Sequence, residues 1–120
     1  MPHTYPFTLT WTGNTMQEGY SRDGEVSALG KTILPVSSAA EYAGTAHRWN
    51  PEDLLGAALA NCHMLTFLAL CAKARVEVTG YEDHAEAVLD TFDKVTWVAE
   101  IQLRPTIRVA PGTKIGRAHV

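Results

Sequence analysis

Apolar residues concentrate in one stretch of this chain. From Leu54 to Ala72 the sequence LLGAALANCHMLTFLALCA carries no Asp, Glu, Lys or Arg. Its flanks are punctuated like helix ends. Asn50 is a good N-cap type, and Pro51 suits the first helical position, where its missing N–H is no loss. Glu52 and Asp53 lie at the positive end of the helix dipole, and Lys73 and Arg75 at the negative end. The pattern predicts one helix over Asn50–Arg75. Apolar positions cover most of its circumference, so it is expected to be buried, with the rest of the chain wrapped around it. The stretch is also long enough to span a bilayer. Asn61, Cys62, His63 and Thr66 near its centre, together with its small Gly and Ala residues, argue for a core helix and against a membrane segment.

Elsewhere the pattern is that of strands. Tyr5–Thr12 alternates and is rich in aromatic and β-branched residues. Gly13-Asn14 signals a turn, which makes Met16–Arg22 the second arm of an N-terminal hairpin. Asp23-Gly24 reads as a further turn. Lys31–Val36 reads as a short strand, whose Pro35 places it at a sheet edge or at the strand end. Ser37–Trp49 lacks periodicity and reads as a long loop of the kind that is often functional. After the helix, Val76–Val88 and Val95–Val109 read as a long β-hairpin around a polar turn at Asp90–Asp93, with Pro105 at a bulge or an edge. Strands, one central helix and more strands give an α+β fold with the helix packed on antiparallel sheet.

Composition narrows the picture. The 120 residues fit a single domain, expected over 1–114, and 46% hydrophobic content allows a small core. Ten basic and 13 acidic residues are well mixed, for a net charge of −3, which gives no electrostatic case for nucleic acid or an anionic membrane. Two cysteines and no visible signal peptide fit a reducing compartment, so the expected setting is cytoplasmic. Ile115–Val120 is what a common sequencing-library adaptor encodes in one frame. Residues 115–120 are therefore set aside as a suspected non-native tail, with the natural chain expected to be longer.

The candidate chemistry centres on Cys62. A free cysteine is often a small core residue, and a mid-helix thiol gets no help from the helix N-terminus. To act as a thiolate at neutral pH it needs a cation from another element. Cys71 lies nine positions on, about 13.5 Å along a helix, whereas disulfide Cα atoms lie within about 7 Å. Cys62 and Cys71 therefore cannot bridge, and Cys71 reads as core. His63 points about 100° away from Cys62 and reads as a hydrogen-bonded or pocket-lining residue more readily than as its base. His47, His63, His84 and the cysteines show no metal-ligand spacing. Glu52 is about 15 Å from Cys62 along the axis. An arginine lying between them could touch both, and Arg22, Arg48, Arg104 and Arg108 are the candidates. Glu52 can equally be simple helix-start electrostatics.

NPEDLLGAALANCHMLTFLAL, with YSRDG at Tyr20–Gly24 and VTGYED at Val78–Asp83, resembles the OsmC/Ohr family of thiol-dependent peroxidases, and its OsmC-like branch more than Ohr proper. The resemblance implies Cys62 as the peroxidatic cysteine, Arg22 as the arginine that stabilises its thiolate, and Glu52 as the carboxylate that holds Arg22. It implies reduction of organic hydroperoxides in oxidative-stress defence, through a sulfenic acid. The apolar lining would include Leu65, Phe67 and Leu68. No cofactor is implied; an external thiol, such as a dihydrolipoyl protein, is the reductant. An intertwined homodimer with sites at the subunit interface is also implied. The family's second helix, with its resolving cysteine, is missing here, so this chain is expected to be inactive or to turn over once. The other reading is a non-catalytic module of the same fold that binds a small apolar ligand, with Cys62 in the pocket wall.

Overall fold

A computed structural model describes residues 2–113; the suspected tail at 115–120 lies outside them. The elements run β1 (Thr8–Thr10), β2 (Gly24–Ser27), β3 (Leu34–Val36), a 3₁₀ turn (Ala40–Tyr42), α1 (Pro51–Lys73), β4 (Val78–Asp83), β5 (Glu86–Phe92), β6 (Val95–Gln102) and β7 (Pro105–Val109). The fold is α+β, as the pattern predicts, with one main helix and antiparallel strands. Its contacts divide into two compact units that meet within α1, at Leu54 and Leu55.

In the first unit β1, β2 and β3 form an antiparallel sheet in that order. The second arm of the N-terminal hairpin is not Met16–Arg22. The strand that pairs with β1 begins at Gly24, with Thr10 opposite Glu25 and Thr8 opposite Ser27. Local polar chemistry explains the displacement. The Asn14 carbonyl accepts the Gln17 N–H, its side chain accepts the Met16 N–H, and Gly19 takes a φ of 68°, so 14–19 coil instead of extending. The Trp11 indole N–H donates to the Ser21 carbonyl at 2.7 Å and fastens that excursion to the end of β1. Gly24 is needed where it stands, because a Cβ there would meet the Thr10 carbonyl oxygen at 2.8 Å. Pro35 lies on the edge strand β3, as a residue without an N–H should.

α1 starts and stops as its punctuation predicts. The Asn50 side chain accepts the Asp53 N–H at 2.8 Å, and the Asp53 carboxylate accepts the Asn50 N–H at 3.1 Å: a reciprocal capping box. At the other end Arg75 takes a φ of 63°, and the Val76 N–H reaches back to the Cys71 carbonyl at 2.9 Å. That is a Schellman-type stop made without glycine.

In the second unit β5 pairs with β6 around a tight turn, where Asp93 and Lys94 have φ of 52° and 67°. β4 pairs with β7. The outer register, ending at Asp83 opposite Pro105, continues into the inner one, starting at Glu86 opposite Gln102. The four strands are thus the two arms of one long hairpin, as expected from the sequence, but each arm is interrupted. Val95–Val109 is not a single strand. At the break the Arg104 N–H donates to Asp83 at 2.7 Å, while its guanidinium bonds the His84 carbonyl at 3.2 Å and Glu86 at 2.7 Å. These bonds replace the ladder over those residues, and Pro105 opens β7, which pairs with β4 alone and so lies at an edge, the second of the two expected places.

The expectation of a buried central helix is overturned. Within α1 only Gly56 and Cys71 are buried, while Leu55, Leu59 and Leu70 are 52%, 48% and 61% exposed. Elements on one side of a helix cannot enclose a cylinder that is apolar all round. By length and composition α1 also meets the criterion for crossing a membrane.

Candidate functional site

The geometry of α1 decides what each of its cysteines can do. Gly56, Ala60, Met64, Phe67 and Cys71 recur three or four apart, and all are buried or half-buried. A Cβ at Gly56 would lie 3.5 Å from the Ala87 Cβ, and the Phe67 ring lies 6.0 Å from the Tyr81 ring. This stripe faces the long hairpin of its own unit. Residues turn about 100° apart around a helix, so Cys62 falls on the opposite side. It stands there with Leu55, Leu59, Thr66 and Leu70, all exposed. Cys62 is an exposed free thiol and Cys71 a buried one. Nine positions are about two and a half turns, so the two thiols point in opposite directions as well as standing too far apart to bridge.

Of the apolar lining candidates, Leu65 is exposed, while Phe67 and Leu68 are half-buried. Beside Cys62, the His63 Nδ1 is 3.2 Å from the Tyr81 hydroxyl. Burial, with the Asp83 charge adding to it, raises the Tyr81 pKa above its ordinary value. The phenol keeps its proton and shares a hydrogen bond with Nδ1, whose direction follows the imidazole tautomer. This fits the reading of His63 as a hydrogen-bonded residue.

The charged candidates of the first unit are arranged differently from the sequence expectation. Arg22 is half-buried and immediately precedes Asp23 and Gly24 at the start of β2. Its guanidinium lies 3.8 Å from the centroid of the Tyr20 ring and donates to the Tyr20 carbonyl. Glu52 is half-buried in the first turn of α1. Among the described residues no ion pair joins Arg22 to Glu52; the three present are Arg48 with Asp23, His84 with Glu82 and Arg104 with Glu86. Arg48 and Arg104 thus have carboxylate partners, and the Arg22 guanidinium has none among the described residues. The Arg108 side chain runs across Gly80, where a Cβ would meet its Nε at 2.7 Å.

Around Arg22 lies a polar cluster that the sequence reading missed. The Thr45 hydroxyl donates to Asp23 Oδ1 at 2.6 Å, and Arg48 Nε stands 3.5 Å from Asp23 Oδ2. The Arg48 guanidinium also donates to the Gly24 carbonyl at 3.0 Å. Ser37, only 5% exposed, accepts the Thr45 N–H through its hydroxyl. These bonds hold the Asp23 carboxyl below its ordinary range: the Thr45 hydroxyl foremost, then Ser37, then the charges of Arg48 and His47. No local signal in the sequence announces the cluster, because its members are far apart along the chain. Among the described residues no group of three or more His, Cys, Asp or Glu could hold a metal ion.

Comparison with known proteins bears on the family and the fold. The profile of the family described as OsmC-like protein matches residues 44–119. The structure superposes on that of an OsmC-like protein of unknown function from Vibrio cholerae O1 biovar eltor, with a TM-score of 0.86 and 27% identity, covering 96% of this chain and 80% of that one. No curated protein matches the chain. The family match takes in the NPE…C stretch and α1, and the structural likeness extends to the sheet that carries Arg22: this chain belongs to the OsmC-like protein family.

Proposed function

We propose that this chain is a thiol-dependent hydroperoxide reductase in which Cys62 is the nucleophile. The observation that carries the reading is the position of Cys62: an exposed thiol at the centre of an apolar helix face, within the region that matches the OsmC-like family. The family is generally associated with peroxidase activity. The Cys62 thiolate attacks the terminal oxygen of an organic hydroperoxide. The S–O bond forms as the O–O bond breaks, the alkoxide leaves and takes a proton from solvent, and a sulfenic acid remains. Arg22, once its guanidinium leaves Tyr20, supplies positive charge to the thiolate and to the departing oxygen, and Glu52 is the carboxylate that would then hold it.

Two features ask for a second copy of the chain. Leu55, Leu59 and Leu70 leave an exposed apolar face around Cys62, and Arg22 rests on Tyr20 with no carboxylate partner among the described residues. A homodimer that covers the open face of α1 would dry the site and favour apolar peroxides. Cys71 cannot resolve the sulfenic acid, so an external dithiol, for example a dihydrolipoyl protein in a reducing cytoplasm, would reduce it.

The test is consumption of cumene hydroperoxide by the purified chain. Consumption of about one equivalent per Cys62 thiol, abolished in Cys62→Ser, is expected from one two-electron oxidation per thiol. Undiminished consumption by Cys62→Ser, or no consumption together with a Cys62 alkylation rate that rises only above about pH 8.5, the free-cysteine value, would favour a ligand-binding module instead.

A further inference from the structure

We propose that Asp23, Thr45 and Arg48 form a positioning clip that fixes the turn bearing Arg22 against the segment that leads into Glu52. The inference rests on the peroxidase reading and deepens it by naming what sets its charged pair.

The clip is a closed set of bonds. Asp23 receives Thr45 on one oxygen and Arg48 on the other, and Arg48 returns to the carbonyl of the very next residue, Gly24. Asp23 follows Arg22 directly, while Arg48 stands two residues before the N-cap Asn50 and four before Glu52. Each end of the clip is thus within a few residues of one member of the pair, so little slack separates clip from pair. The intervening loop is braced as well. The Ser37 N–H donates to the Trp49 carbonyl at 2.9 Å, and Val36 bridges Trp49 in parallel. A Cβ at Gly44 would sit 1.6 Å from the Ser38 carbonyl oxygen, a backbone approach that only glycine permits. Ser37 is the most deeply buried polar side chain described, and it bonds the Thr45 N–H. A long loop held this way behaves as part of the scaffold, not as a free connection.

Arg22 makes the opposite choice. Its guanidinium lies on Tyr20, a contact with its near neighbour in the chain. A fixed backbone with a guanidinium held only by a near neighbour is suited to a group that must find a thiolate supplied by another element. Asp23, Thr45 and Arg48 do not touch the reacting atoms in this scheme. They act through Arg22.

The experiment measures the alkylation rate of Cys62 by iodoacetamide from pH 5 to 9, in a Cys71→Ser background so that one thiol reports. Unfolding by heat is followed in parallel. In the parent protein alkylation is expected to be well advanced at pH 6. Asp23→Asn and Thr45→Val should each slow it at pH 6 by about three- to tenfold, as the thiolate fraction falls. Asp23→Glu should recover part of the rate. The decisive arm is Arg22→Ala: adding Asp23→Asn to it should change the rate no further. Thr45→Val keeps all charges and serves if Asp23→Asn fails to fold. Equal slowing by the clip variants with and without Arg22 would overturn the clip, since they would then act through general loosening. A parent rate that rises only near pH 8.5 would instead overturn the peroxidase reading itself.

Discussion

The two faces of α1 carry similar residues and meet different fates. On one face Gly56, Ala60, Met64, Phe67 and Cys71 are buried or half-buried, with Gly56 beside Ala87 and Phe67 beside Tyr81 of the hairpin. On the other, Leu55, Leu59, Cys62, Thr66 and Leu70 stand in water. Apolar content does not distinguish them. What distinguishes them is which face a neighbour reaches. The same residue type is therefore core in one case and accessible in the other: Cys71 is 9% exposed, while Cys62 is open. A cysteine's chemistry in this chain follows from its angle on the helix more than from its local sequence.

The strongest way to break this comparison is chemical. Under native conditions Cys62 should react with a small alkylating reagent at least about ten times faster than Cys71, which must wait for local opening. Mass spectrometry of the modified peptides checks it, and equal rates would remove the distinction between the faces. Next in size is a pair of substitutions, one on each face. Gly56→Leu forces a side chain into the space beside Ala87 and should cost about 1–3 kcal/mol of stability. Leu59→Glu should leave stability almost unchanged but abolish concentration-dependent self-association, read by sedimentation. If Leu59→Glu unfolds the chain and Gly56→Leu does not, the assignment of the faces is reversed.

A smaller effect concerns the clip. The Asp23 carboxyl is held below its ordinary value in the folded chain, so the folded state favours its ionised form. Its contribution is fully present above the unfolded value, about pH 4, and is lost as pH falls through the folded value. The difference in melting temperature between the parent protein and Asp23→Asn should therefore be constant from pH 5 to 7 and shrink below about pH 4. A difference that grows on acidification would contradict the sign.

Legibility in the sequence followed the range of the interactions. The ends of α1 were readable because Asn50, Pro51 and Asp53 act on one another within a turn. Pro35 marked its edge because a missing N–H is a property of the residue alone. The separation of Cys62 from Cys71 followed from helix rise. By contrast, the strand expected at Met16–Arg22 was lost to side-chain bonds around Asn14 and to the positive φ of Gly19. The break in the long hairpin depends on where Asp83, Glu86 and Arg104 meet across the two arms.

The sequence by itself determined that there is one long helix, that strands flank it and that its two thiols cannot join. Capping, periodicity and rise are local, and they need no knowledge of neighbours. Only the tertiary structure decided which side of that helix is covered and which groups meet Asp23, beside Arg22. A helix apolar around its whole circumference has no preferred face of its own, so contact with the hairpin makes the choice. The Asp23–Thr45–Arg48 clip joins residues more than twenty positions apart. Such a meeting is fixed by chain topology and invisible to any local pattern.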